Sequence, residues 1–197
     1  MHEYAIFGHS RVAIGRWLGV ISIILTGMVS SLLVWLYELT NIQAFATAVI
    51  TPAAVYFGLH FIFNTKIWKA SFLNIPDISG IWHVVGQTLN EDGSTRYDWE
   101  AEIDIEQTWE TICITLKTAN SSSESYTATL GKKPGTKGGW MLHYSYTNNP
   151  DSGQYHELNS HKGYCEIIFN KELTVGDAAY FNSNGRRTFG KMNLRKK

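Results

Sequence analysis

The hydrophobic pattern of the chain changes period once, near Pro76. Before that point the apolar residues come in two unbroken runs. Residues 17–37, "WLGVISIILTGMVSSLLVWLY", are 21 positions without a charge. At about 1.5 Å per helical residue such a run matches a hydrocarbon core of about 30 Å. Trp17 at one end and Trp35 with Tyr37 at the other fit interfacial anchors. A second uncharged run, residues 44–63, follows the connection "ELTNIQ", and Pro52 inside it predicts a kinked membrane helix. Two runs of this length, so closely spaced, predict a transmembrane hairpin over residues 1–70 rather than two buried soluble helices or a cleaved leader.

Residues 71–76 form a linker, and from 77 to 197 the period is two. In "TRYDWEAEIDIEQT", Tyr97, Trp99, Ala101, Ile103 and Ile105 alternate with Arg96, Asp98, Glu100, Glu102, Asp104 and Glu106. That is a strand with one face buried and the other in water, so the acidic row is a solvated face and not a set of catalytic carboxylates. Strands are predicted over 78–88, 95–107, 111–118, 125–132, 139–147, 162–170, 177–183 and 187–196, eight in all. The hairpin-like turns "NEDGS", "WE", "PGTKGG", "VGD" and "SNGR" separate them. Successive antiparallel strands without an intervening helix favour an up-and-down barrel, which leaves no open edge. The predicted fold class is two transmembrane α-helices followed by an all-β, eight-stranded, calycin-like barrel. The interior of such a barrel is filled by side chains or holds one small ligand.

Charge sets the orientation. Arg11 and Arg16 precede the first run, Lys66 and Lys69 follow the second, and the connection carries Glu38 alone. The positive-inside rule then places both termini and the barrel in the cytoplasm of a multi-pass inner-membrane protein. Cys113 and Cys165 are no disulfide framework and fit small buried hydrophobes in a reducing compartment, where the Asn120 sequon is idle. From residue 77 onward, 13 Lys and Arg stand against 15 Asp and Glu, so no DNA or RNA polymer is expected as a partner. Small residues four apart (Gly15/Gly19, Gly27/Ser31, Ala44/Ala48 and Ala54/Gly58) allow close helix approach and predict self-association among membrane lipids.

The strand opening "IPDISGIWHV" carries Gly80 and Trp82 on one face. Together with Arg195 near the end of the final strand, it resembles the calycin pattern of lipocalins and fatty-acid-binding proteins. There the Trp closes one barrel end beneath a cation. If Trp82 marks the floor, the longer, more polar turns form the mouth. Near that mouth fall Tyr97, Tyr126, Tyr144, Tyr146, Tyr155, His156, Tyr180, Arg186 and Arg187. Flat aromatics with guanidinium groups suit stacked bases and phosphates, while a lipid, or no ligand, stays open at this point.

The whole organisation, from the two-run anchor through "DISGIWHV" to "AAYFNSNGRRTFGKMNLRK", resembles the membrane-anchored beta-barrel effector of bacterial cyclic-oligonucleotide-based antiphage signalling systems (CBASS). The resemblance implies that the barrel binds a cyclic dinucleotide made by a phage-activated nucleotidyltransferase. It also implies that the effector then assembles through its membrane segments and disrupts the inner membrane. A membrane-tethered lipocalin-like carrier or sensor of a small apolar ligand is the alternative. An enzyme is not expected: His143, His156 and His161 lack metal-ligand spacing, and neither a Gly-rich phosphate loop nor a nucleophile elbow occurs. No metal or cofactor is expected either.

Overall fold

The computed structural model describes residues 1–133, 135, 139–150, 160–183 and 187–197. They form two compact units, His9–Leu73 and the combination of Met1–Gly8 with Asn74–Lys197.

The first of these units is helical. Helix α1 (Arg11–Thr40) starts at Ser10, whose side chain accepts the Ala13 N–H at 3.2 Å, and ends at Asn41 in the left-handed conformation. Its 30 residues are long and apolar enough to cross a membrane, and Trp17, Ile23, Met28 and Trp35 are exposed along it. The second apolar run departs from the single kinked helix expected over 44–63. It divides into α2 (Gln43–Thr47) and α3 (Pro52–Thr65). Pro52 starts α3 instead of bending a longer helix, because its missing N–H falls where no intrahelical partner exists and Thr51 caps the end. Among the described residues α1 alone has the length of a full span.

The other unit is the barrel. Strands β1 (His2–Glu3) and β2 (Ala5–Ile6) belong to its N-terminal segment. Its walls are β3 (Gly80–Leu89), β4 (Thr95–Gln107), β5 (Thr111–Lys117) and β6 (Ser121–Lys132), then β7 (Trp140–Pro150), β8 (His161–Phe169), β9 (Val175–Ser183) and β10 (Phe189–Lys196). From β3 to β10 each strand pairs antiparallel with the next, and β10 returns to β3. This is the eight-stranded meander that the alternation predicts.

Closure is uneven. Strands β5 and β6 pair only near their shared turn, from Thr115↔Glu124 to Lys117↔Ser122. Below, they part, and the N-terminal segment fills the gap: β1 runs antiparallel to β5, and β2 parallel to β6. Tyr4, between them, is buried. Its hydroxyl donates to Thr108 O and accepts from Gln107 Nε2 at 3.0 Å. The same Gln107 amide donates to Pro76 O at 3.1 Å and accepts the Ile78 N–H at 2.9 Å. One buried glutamine therefore holds both the segment that leads into α1 and the segment that emerges after α3.

The floor forms around Trp82, fully buried, whose indole N–H donates to Ile78 O and whose ring lies 4.9 Å from that of Phe169. Gly80 enters β3 with φ +114°, which accounts for the glycine of the G-x-W pair. The cation over Trp82 is Lys196, at 5.5 Å, and not Arg195. Lys196 is the register partner of Trp82, whereas Arg195 has the opposite parity and faces outward with His83. Isoleucine and leucine side chains fill the lower half of the barrel, with Ile103, Ile105, Ile114, Leu130, Leu142 and Ile167 all buried.

Candidate functional site

Above this packed floor the barrel is hollow. A cavity of about 380 Å³ occupies the half nearest the 118–121 turn. That volume lies in the range of small-ligand sites. Strand β4 meets β5 only over residues 102–107, so above Ala101 the two strands separate and residues 118–121 complete the wall.

Four of the expected residues line this cavity: Tyr97, Tyr144, Tyr146 and Tyr180. Tyr97 stands at the rim, 38 % exposed, and Tyr144 lies at the base, buried against Cys165. Two do not join them. Tyr126 is 46 % exposed on the outer wall beneath the Lys162 ammonium. The cause is a β-bulge between Ser125 and Thr127, which turns Ser125 and Ala128 inward and leaves Tyr126 outside. Arg187 is exposed and does not line the cavity. Tyr155, His156 and Arg186 lie outside the described residues.

The strand pattern also brings in residues outside the expected tyrosine, histidine and arginine set. Trp99 shares the inward parity of Tyr97 on β4, and Thr88, Ser123, Asn148, His161 and Asn182 add polar groups to the lining. Their inward parity is the signal that could have found them. Several polar groups are held in place: Tyr146 Oη donates to Asn182 Oδ1 at 2.8 Å, and Asn182 Nδ2 donates to Thr188 Oγ1 at 2.8 Å. Tyr180 Oη and Thr88 Oγ1 are 2.8 Å apart. Among the described residues no lysine or arginine lines the cavity, and Glu100 is its one carboxylate. Burial keeps the Tyr144 hydroxyl far above its ordinary pKa, so it remains neutral. No cluster of three or more metal-ligating side chains occurs among the described residues. Apart from Glu100 and His161, the lining offers aromatic surface and uncharged hydrogen-bonding groups, which suit an uncharged planar ring better than a free anion.

A meander barrel with a packed floor and a hollow aromatic upper half, on a chain that also carries a helix long and apolar enough to cross a membrane, belongs by architecture to the barrels with a small-ligand-sized interior cavity. Residues 73–196 match the family described as "Cap15, cyclic dinucleotide receptor domain", and residues 12–69 match "Cap15, TM helices". Over 98 % of its length the chain is 36 % identical to CD-NTase-associated protein 15 of Yersinia aleksiciae, covering 96 % of that protein. The chain belongs to the Cap15 family, a CBASS-associated family.

Proposed function

We propose that this protein is a non-enzymatic antiphage effector whose barrel cavity binds a cyclic dinucleotide and whose helices then assemble and breach the inner membrane. The observation that carries the reading is the aromatic cavity itself, in a region that matches a cyclic dinucleotide receptor domain. A carrier of an apolar molecule fits less well, because Ser123, Asn148, His161 and Asn182 interrupt the apolar lining. Tyr97, Tyr144, Tyr146 and Tyr180 are the binding residues under this reading.

Topology supports two crossings with the barrel in the cytoplasm. Residues 2–6 hydrogen-bond within the barrel, so they and the barrel occupy the same side of the membrane. The segment between them crosses an even number of times. With α1 as one crossing, the other falls within residues 41–73, and the flanking Arg11, Arg16, Lys66 and Lys69 orient the pair. Self-association uses uncovered small-residue positions: a Cβ placed on Gly19, Gly27 or Gly58 meets nothing within 4 Å.

Ligand can drive assembly only through tighter binding to the assembled form. Converting a 1:99 population to 99:1 takes about 5.5 kcal/mol of such preference, which several coupled barrels can share. Added cyclic dinucleotide is expected to increase both crosslinked oligomer and dye entry in cells carrying the full-length protein. Ala54→Leu with Gly58→Leu should keep binding and lose dye entry. Ligand-saturated protein that stays monomeric in an intact membrane would refute the effector reading.

A further inference from the structure

Three inward-facing positions of the upper barrel are glycine although their backbone does not require it: Gly86, Gly163 and Gly190 are absent from the glycines with positive φ. What they share is a ring. A Cβ on Gly86 would lie 2.3 Å from the Trp99 indole, one on Gly163 2.3 Å from the Tyr146 ring, and one on Gly190 2.8 Å from the Tyr180 ring. Each is a direct cross-strand pair: Gly86↔Trp99, Gly163↔Tyr146 and Gly190↔Tyr180.

Two of the rings then reach a third strand. Tyr146, from β7, crosses Gly163 on β8 and donates its hydroxyl hydrogen to Asn182 on β9. Tyr180, from β9, crosses Gly190 on β10 and meets the Thr88 hydroxyl on β3. Trp99 lies over Gly86 and packs edge-on against Tyr180, with ring centroids 5.8 Å apart. Each of the three rings therefore lies over its partner glycine, with the Trp99 and Tyr180 rings inclined at 73° to each other. With the two tyrosine hydroxyls engaged within the wall, what these side chains offer the cavity is a ring face.

We propose that these glycine–aromatic pairs are the base-stacking surface of the receptor, and that Gly86 and Gly163 set the width of its ligand slot. The proposal rests on the nucleotide reading above and adds the positions that determine specificity. A planar heterocycle stacks on a ring face whatever its hydrogen-bonding edge, so a shelf of fixed rings serves nucleobases. The shelf works only while each ring lies back against the wall. Alanine at 86 would meet Trp99 side-chain atoms about 1 Å inside ordinary contact, so the ring must move into the space a base would occupy. Alanine at 163 acts alike on Tyr146 and Asn182. Gly190 is a poorer probe, because its Cβ would also meet the Gln87 backbone oxygen at 2.1 Å and break the ladder.

The test uses the full-length protein in detergent micelles, titrated with three 3′,3′-linked cyclic dinucleotides: two purines, one purine with one pyrimidine, and two pyrimidines. For whichever of these the wild type binds, Gly86→Ala and Gly163→Ala should weaken binding about tenfold or more while circular dichroism is unchanged. Trp99→Leu demands no space and should weaken binding comparably, whereas Trp99→Phe should stay within about threefold. The leucine variant keeps the test valid if alanine at 86 does not fold. Wild-type affinity in all the folded variants overturns the shelf alone. A wild type that binds none of the three overturns the nucleotide reading, and the shelf with it.

Discussion

Cys165 is fully buried in the lining of the cavity, and burial pushes its thiol up to about 12 from an ordinary 9.0, opposed by a hydrogen bond from Tyr144 and helped by Glu166. Below pH 9 the folded and unfolded chains both keep this proton, and the group leaves stability unchanged. Between about pH 9 and about 12 only the unfolded chain releases it, so stability falls as pH rises through that window. The slope is at most about 1.4 kcal/mol per pH unit for one group. Cys165→Ala should flatten the decline of unfolding free energy with pH across this window, and equal slopes in the two proteins would exclude the thiol as a contributor. At this scale the sequence was a partial guide. The inward parity of β4 places Tyr97 and Trp99 together, although the candidates drawn from tyrosine, histidine and arginine omit Trp99. Tyr126 was misplaced because a bulge shifts the alternation by one and has no signature of its own in "SSSESYTATL". The cation over Trp82 turned on a single step of parity between Arg195 and Lys196.

Elements long enough to show a period were legible and shorter ones were not. The barrel strands announced themselves through alternation and turn residues, and β4 fills the predicted range of 95–107. β1 and β2 have two residues each, too few to show a period, and they take extended form only because β5 and β6 leave unpaired edges for them. The Thr51-Pro52 pair is a helix start, yet inside an unbroken apolar run it reads as a kink. Gln107 gives the N-terminal insertion an energetic handle. Gln107→Leu would leave the Ile78 N–H and the Pro76 carbonyl buried without this partner, at a cost on the order of 2–4 kcal/mol. Thermal unfolding of the full-length protein, followed by tryptophan fluorescence, should show that loss, and deletion of residues 2–8 should produce at least as large a shift. A Gln107→Leu melting temperature equal to the wild type would mean that water replaces the amide and the clamp is unimportant.

For the whole molecule, the proposed orientation rests on where the chain is stitched to itself and on the basic residues that flank its apolar runs. A reporter active only in the periplasm should remain silent when fused after Lys197 and become active when inserted in the connection at residues 41–43. The reverse pattern would invert the assignment drawn from Arg11, Arg16, Lys66 and Lys69. The same stitching governs how the molecule is made. His2 meets Ser125 across 123 positions of sequence. At about 5–20 residues per second, β6 emerges from the ribosome on the order of ten seconds after the residues that will sit beside it. Throughout that interval residues 2–6 must wait, unpaired, while the helical segment is delivered to the bilayer. The lower seam of the barrel cannot seal until Leu130 has been synthesised and accepts the Phe7 amide. The window in which this barrel presents raw strand edges to its neighbours is therefore set by the pace of translation.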